Sequence, residues 1–310
     1  MRLLRAIAGN AKAATGAVLL LAFIILALVP GLFARDSPTA LVYKQNLGAS
    51  AAHLLGTTGQ GQDIFAQAVY GTRTVLEIAF GAGLASTVIA ALIGVAAAYL
   101  GGVWDGVLNL FTDVVLVIPL FPLLIVISAY IHNSGTSVLI AVLTFTGWSY
   151  TARQLRSQAL ALRSRDFLVA AKVRGERAIY IIIVEILPTM TSLLVAAFLT
   201  NALYDVFFAS SLQFIGLGDP NATSWGTMLY WAQNNEALQA GYFLQVIVPG
   251  AAIALLGAAL ALLNYAFDEI GNPALRPVRQ RRRLISRPPL IPRRRPATPQ
   301  APAQEGLSRA

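Results

Sequence analysis

The sequence predicts an all-α membrane protein of about six transmembrane helices, and three observations carry that reading. The 310 residues are 56% hydrophobic and only 12% charged, with a mean hydropathy of +0.65, where soluble domains carry about 25% charged residues. Uncharged apolar runs of membrane length recur along the chain. Of the 23 Lys and Arg residues, 20 fall in three places: residues 1–12, 153–186 and beyond 267. A ~30 Å hydrocarbon core takes about 20 residues to cross as a helix, and only helices satisfy their own backbone groups in lipid.

The apolar runs are residues 16–33, 78–100, 107–131, 135–152, 187–209 and 241–267. Residues 1–35 form an N-terminal tail and first helix, with Arg2, Arg5 and Lys12 flanking the run. A cleaved signal peptide would leave five spans; an uncleaved helix is the simpler reading. Residues 36–77 are an external segment with only Arg35, Lys44 and Arg73 near it, and 78–267 hold the five remaining spans. The positive-inside rule places both termini and the 153–186 loop in the cytoplasm and the 210–240 loop outside.

Two carboxylates, Asp113 and Asp205, fall within spans, where they are costly and face a bundle interior or a wet cavity. They suggest an ion-coupled secondary transporter as a rival class. Such folds show internal repeats and interrupted helices, and no clear repeat is visible.

The 153–186 loop carries seven basic residues. Ala152 to Arg174 contains neither Pro nor Gly and is rich in helix formers, which predicts a helix. Leu160, Ser164, Phe167, Leu168 and Ala171 share one small-to-apolar face. Gly175 can turn left-handed and end that helix, and Pro188 marks entry into the next span. A helix presented this way suits a groove on a soluble partner; it equally suits a connector on the lipid surface. The 210–240 loop holds Asp219, Glu236, Trp225 and Trp231, and its tryptophans fit either an external mouth or an interfacial belt. Residues 276–310, with ten arginines and seven prolines, cannot bury enough surface to fold; the basic tail 268–310 either meets anionic lipid or is a solvated cytoplasmic extension.

The chain has no cysteine, and His53 and His132 lie far apart, so no metal site is expected. No GxxxxGK[ST] occurs, so any ATP hydrolysis belongs to another subunit.

The loop "AAKVRGERAIYIIIVEILP" (170–188) resembles the cytoplasmic E-A-A loop of ABC-importer permeases. Ala170, Ala171, Gly175, Leu187 and Pro188 match its spacing; Val169 replaces the Glu and Glu185 an Ile. Four further stretches resemble the C-type permease of dipeptide/oligopeptide importers. "HLLGTTGQGQDIFAQAVYGTRTVL" (53–76) is similar to H-x-L-G-T-D-x-x-G-R-D, with Thr58 for Asp and Gln62 for Arg. "TDVVLVIP" (112–119) is similar to its D-x5-P signature, with Leu110 where Arg is usual. "GWSYTARQLR" (147–156) matches the end of its fourth span, and "SLQFIGLGDPNATSWGTML" (211–229) its L-S-F-L-G-L-G…S-W-G-x-M-L loop. Together they cover about 50–275.

The resemblance implies an ABC type I importer permease fold that forms half of a translocation pathway. It implies as partners a second homologous permease, two ABC ATPase subunits, an extracytoplasmic solute-binding protein and membrane lipid, and no nucleic acid. ATP and Mg would sit on the ATPases, with no cofactor on this chain. The ATPase-coupling residues would be Arg165, Asp166, Ala170, Ala171, Arg174, Gly175, Leu187 and Pro188. Asp113, Pro119 and Asp205 would lie in the pathway or bundle interior, and Gly216, Gly218, Trp225 and Gly226 at the external mouth. Asp205 would stand in for a Glu that the family often carries at the position of Ala209, or else bond locally to Asn201. The implied substrates are peptides first and oligosaccharides second, with nickel complexes also within the branch.

Overall fold

The computed structural model describes residues 11–130 and 135–271. Among these the regular structure is helical, with a lone bridge between Thr57 and Asp63. The tail beyond Gly271 and the first ten residues lie outside the described residues.

The chain opens with α1 (Ala11–Leu28) and a short α2 (Pro30–Phe33). It then runs through a non-helical segment to α3 (Ile64–Leu100), the central column. At 1.5 Å per residue, its 37 residues span about 55 Å, well beyond a ~30 Å core. The helix therefore starts at Ile64, ahead of the run at 78 read from apolarity. Asp63 caps it by accepting from the Ala66 amide at 2.8 Å.

The column is rich in Ala, Gly, Ser and Thr because neighbours approach its backbone closely. A Cβ on Gly83 would lie 2.9 Å from the Ala202 nitrogen, and one on Gly94 would collide with the Ala152 carbonyl. Gly83 thus admits α9 (Thr191–Phe214), and Gly94 admits α6 (Thr136–Leu162). Helix α11 (Leu244–Gly271) packs on α1, where a Cβ on Gly16 would sit 2.9 Å from the Ala259 carbonyl.

Three expected segments change shape. The run 107–131 is not one helix: α4 (Gly102–Val117) and α5 (Leu120–Tyr130) meet at a bend of 83°. Pro119 explains the break, because it lacks an N–H and pushes its predecessor extended; Ile118 has ψ 126°. The helix expected from 152 to 174 ends at Leu162 and restarts as α7 (Asp166–Val173), with Arg165 extended between them. Residue propensity allowed a straight helix; the break at Arg163–Arg165 lets Leu168 and Ala171 join the buried cluster that also holds Leu155, Ala159, Ile181 and Ile186. Third, Pro188 lies in the last turn of α8 (Ala178–Thr189), and the next long helix begins at Thr191. Six residues of α8, Ile181–Ile186, form a wide π turn just ahead of Pro188, where a regular α-helix would meet the ring and the missing donor.

Helix α10 (Trp225–Asn234) starts with a capping box in which Ser224 and Thr227 satisfy each other's amides. Four helices are long and apolar enough to cross a membrane: α1, α3, α9 and most of α11. The α4–α5 pair, bent by 83°, has the length and apolarity of either a broken fifth span or a re-entrant loop, while α6, the fourth expected span, falls short in apolarity. That helix carries Arg153 and Arg156 in its second half.

Candidate functional site

The two ends of α3 gather different chemistry. At its C-terminal end Lys172 lies 5.0 Å from the centre of the Tyr99 ring, and Arg163 stands over Gly101. At its N-terminal end sit the 36–63 segment and the loop around α10, with Trp225 donating from Nε1 to the Ala68 carbonyl at 2.9 Å.

The basic end is built as an elbow, with α7 as its short arm. Arg165 precedes the first turn and Asp166 occupies it, where a carboxylate favours the helix N-terminus. Gly175 has φ +76°. Its amide donates to Lys172 at 3.0 Å and that of Glu176 to Ala171 at 3.2 Å, the paired bonds of a left-handed helix stop. Arg174 reaches Glu185 at 3.4 Å and Glu176 at 3.7 Å, tying the short arm to α8. Glu185, the departure from the family pattern, thus has its counter-charge within the same elbow.

Ala171 departs from its expected role. It is 0% exposed and packs with Leu168, Ile181 and Ile186, so its small side chain permits close contact inside the chain rather than with a partner. The outward residues are Phe167, Val169, Ala170 and Val173, the last 83% exposed, together with the charged Asp166 and Lys172. Leu187 is partly buried against the same core, and Pro188 is exposed.

Asp113 is not a free carboxylate in the bundle. It pairs with Arg153 of α6 and accepts from Asn109 at 3.0 Å. One layer nearer the basic end, Arg156 makes two 2.7 Å bonds to Asp105, a fork-on-carboxylate arrangement. Sequence reading missed these pairings because Asp105 and Arg156 become neighbours only through the packing of α4 on α6. Pro119 is exposed at the α4–α5 bend.

Asp205 stands apart from Asp113. It lines a cavity of about 290 Å³ between α4, α5, α6 and α9. Asn201, one turn earlier, is engaged elsewhere: it donates to Thr87 at 3.0 Å and accepts from Thr151 at 3.0 Å. The local Asn201 bond expected for Asp205 is therefore not made, and Oδ2 of Asp205 is buried without a hydrogen-bond partner. Ala209, one turn on, packs with Ile78 and Leu212 and does not line the cavity, so the two positions are not equivalent sites for a carboxylate.

At the other end Gly216 and Gly218 have φ +83° and +109°. Trp225 is 0% exposed, edge-on to Phe23 at 5.6 Å. It serves neither as a mouth residue nor as an interfacial anchor, but as the core plug beneath the loop. A Cβ on Gly226 would meet the Gln213 side chain at 2.6 Å, so this glycine lets α10 pack on α9. The 53–63 motif makes a clasp: His53 Nδ1 donates to Asp63 at 2.8 Å, and Tyr43 donates to Asp36 at 2.7 Å. Potential ligand atoms of Asp36, His53 and Asp63 lie within 4.8 Å of one another. This cluster was invisible in the sequence, since a loop closure brings Asp36 to it.

A bundle of membrane-length apolar helices with a cavity of about 290 Å³ and a basic helical elbow fits the class of multi-pass membrane transport subunits. The family described as "Binding-protein-dependent transport system inner membrane component" matches residues 90–276, and the chain belongs to it. It is similar to the dipeptide transport system permease protein DppC of Bacillus subtilis, at 28% identity over 84% of this chain and 80% of that protein. It is also similar to the oligopeptide transport system permease protein OppC of Lactococcus lactis subsp. cremoris, at 30% identity over 61% of this chain and 65% of that protein. The OppC of Mycobacterium tuberculosis H37Rv is 32% identical over 57% of this chain and 62% of its own length.

Proposed function

We propose that the chain is one of two permease subunits of an ATP-driven peptide importer, and that the α7 elbow is where an ATPase grips it. The observation that carries this is the elbow itself. An eight-residue helix, stopped at Gly175, lies between α6 and α8 at the basic end and exposes Phe167, Val169 and Val173 beside Asp166 and Lys172. The names of the similar permeases support peptide as the solute. Two ATPases, carrying ATP and Mg, would dock on this elbow and its counterpart in the second permease; a solute-binding protein would approach the opposite end. Both termini and the elbow are cytoplasmic, and α6 counts as the sixth span. ATP drives transport here only by favouring one of two conformations. Asp113, held by Arg153, offers no free carboxylate to an ion-coupled mechanism.

The test is uptake of radiolabelled alanyl-alanine into proteoliposomes that hold the assembled importer. Uptake should require both ATP and the binding protein. Uptake that proceeds without ATP, or that follows an imposed proton gradient instead, would overturn the proposal.

A further inference from the structure

We propose that Asp205 binds an alkylammonium group of the solute as it passes through the cavity. This rests on the peptide-importer reading and adds a named contact to it. The side chain is 4% exposed, and its Oδ2 finds no partner in the protein. An uncompensated carboxylate in so dry a place is costly, and a cation that arrives removes the cost. No protein cation is in position to do so: among the described lining residues Asp205 is the one charged group. The nearest arginines along α6, Arg153 and Arg156, are held by Asp113 and Asp105.

The surroundings select the kind of cation. A divalent metal needs several oxygen ligands, and Asn201 is already committed to Thr87 and Thr151. The cavity offers one carboxylate, the hydroxyls of Ser149 and of Thr146 (the latter bonded to the Val142 carbonyl), the half-exposed rings of Tyr150 and Tyr204, and apolar walls from Val115, Leu116 and Phe208. Aromatic faces attract ammonium groups, and apolar walls accept the carbon chain that bears one. A volume of about 290 Å³ accommodates a small organic cation. The ammonium comes either from a peptide amino terminus or from a lysine side chain.

The whole importer in nanodiscs, without its binding protein, is given three tritiated probes: phenylalanyl-alanine, its N-acetyl form and N-acetylalanyl-lysine. The wild type should bind the free-amine probe about tenfold more tightly than the capped one, the scale of one charged hydrogen bond. Asp205→Asn should erase that preference and leave the capped probe unchanged, while Asp205→Glu keeps it. N-acetylalanyl-lysine binding like the free-amine probe extends the site to side-chain ammonium; binding like the capped probe confines it to the amino terminus. A preference that survives in Asp205→Asn overturns the proposal. Should that variant not assemble, wild-type complex decides: the free-amine probe, and not the capped one, should protect Asp205 from dicyclohexylcarbodiimide, read by mass spectrometry. Equal labelling with either probe overturns it. ATP-driven uptake by the same wild-type complex, reconstituted in proteoliposomes with its binding protein, separates the two readings. If uptake is present while binding ignores the amine, only the Asp205 contact fails; if uptake is absent, the importer reading and this contact fall together.

Discussion

Gly175 and Gly94 are glycines for different reasons, and substitutions should separate them. Around Gly175 an added Cβ meets nothing within 4 Å, so its requirement is the positive φ alone. Gly175→Val should cost about 1–2 kcal/mol by forcing a branched residue left-handed, whereas Gly175→Asn should cost less. Thermal unfolding of the purified complex should rank them in that order. Gly94 has an ordinary φ but no room, because the Ala152 carbonyl occupies the place of a Cβ. Gly94→Val should therefore part α3 from α6 and cut membrane levels, with no gentler branched substitute. Ala171→Trp belongs with Gly94. It overfills a closed core, at about 1–3 kcal/mol or more, and should reduce membrane levels in addition to docking.

The elbow makes a cleaner prediction than any of its buried residues. Val173 is 83% exposed, so Val173→Asp should change stability by no more than about 0.5 kcal/mol. If α7 is the docking arm, that variant should reach the membrane at normal levels, lose the ATPases on purification and fail to transport. Retention of both ATPases and full uptake would reduce the elbow to a connector. How much of this arm was legible beforehand follows from the kind of interaction. The stop at Gly175 and the helical character of 166–173 are local, and composition carried both. The reversal at Arg163–Arg165 was not legible, because nothing in that tripeptide breaks a helix. It accompanies the burial of Leu168 and Ala171 in the cluster that also holds Leu155, Ile181 and Ile186. The same logic turned Ala171 inward, hid Trp225 under its loop and gave Asp113 a partner. Each depends on a residue far along the chain, which spacing does not encode. Asp205 was recognisable as an intramembrane carboxylate, whereas its lack of a partner emerged only once Asn201 was seen to be engaged.

At the scale of the whole molecule, the proposed orientation, with the basic end cytoplasmic, is one that single-cysteine labelling can test. Helix α3 runs from the clasp at Asp63 to the basic cluster at Tyr99–Gly101. Under the proposed topology the chain would alternate from there: the α4–α5 pair would rise, α6 descend, α9 rise again from the elbow and α11 return. This path requires α6 to cross despite its weaker apolarity. Its arginines fit such a crossing, since Arg153 and Arg156 are neutralised by Asp113 and Asp105 near its basic end. Ser37, Ser157 and Asn221 are exposed, and the absence of any native cysteine leaves each introduced thiol as the sole reporter. Ser37→Cys and Asn221→Cys should react with an impermeant maleimide in intact cells. Ser157→Cys, just beyond the Arg153–Asp113 pair, should react only after permeabilisation. If Ser157→Cys is labelled in intact cells, α6 does not cross; the elbow then faces away from any cytoplasmic ATPase, and the coupling role proposed for α7 is lost with the topology.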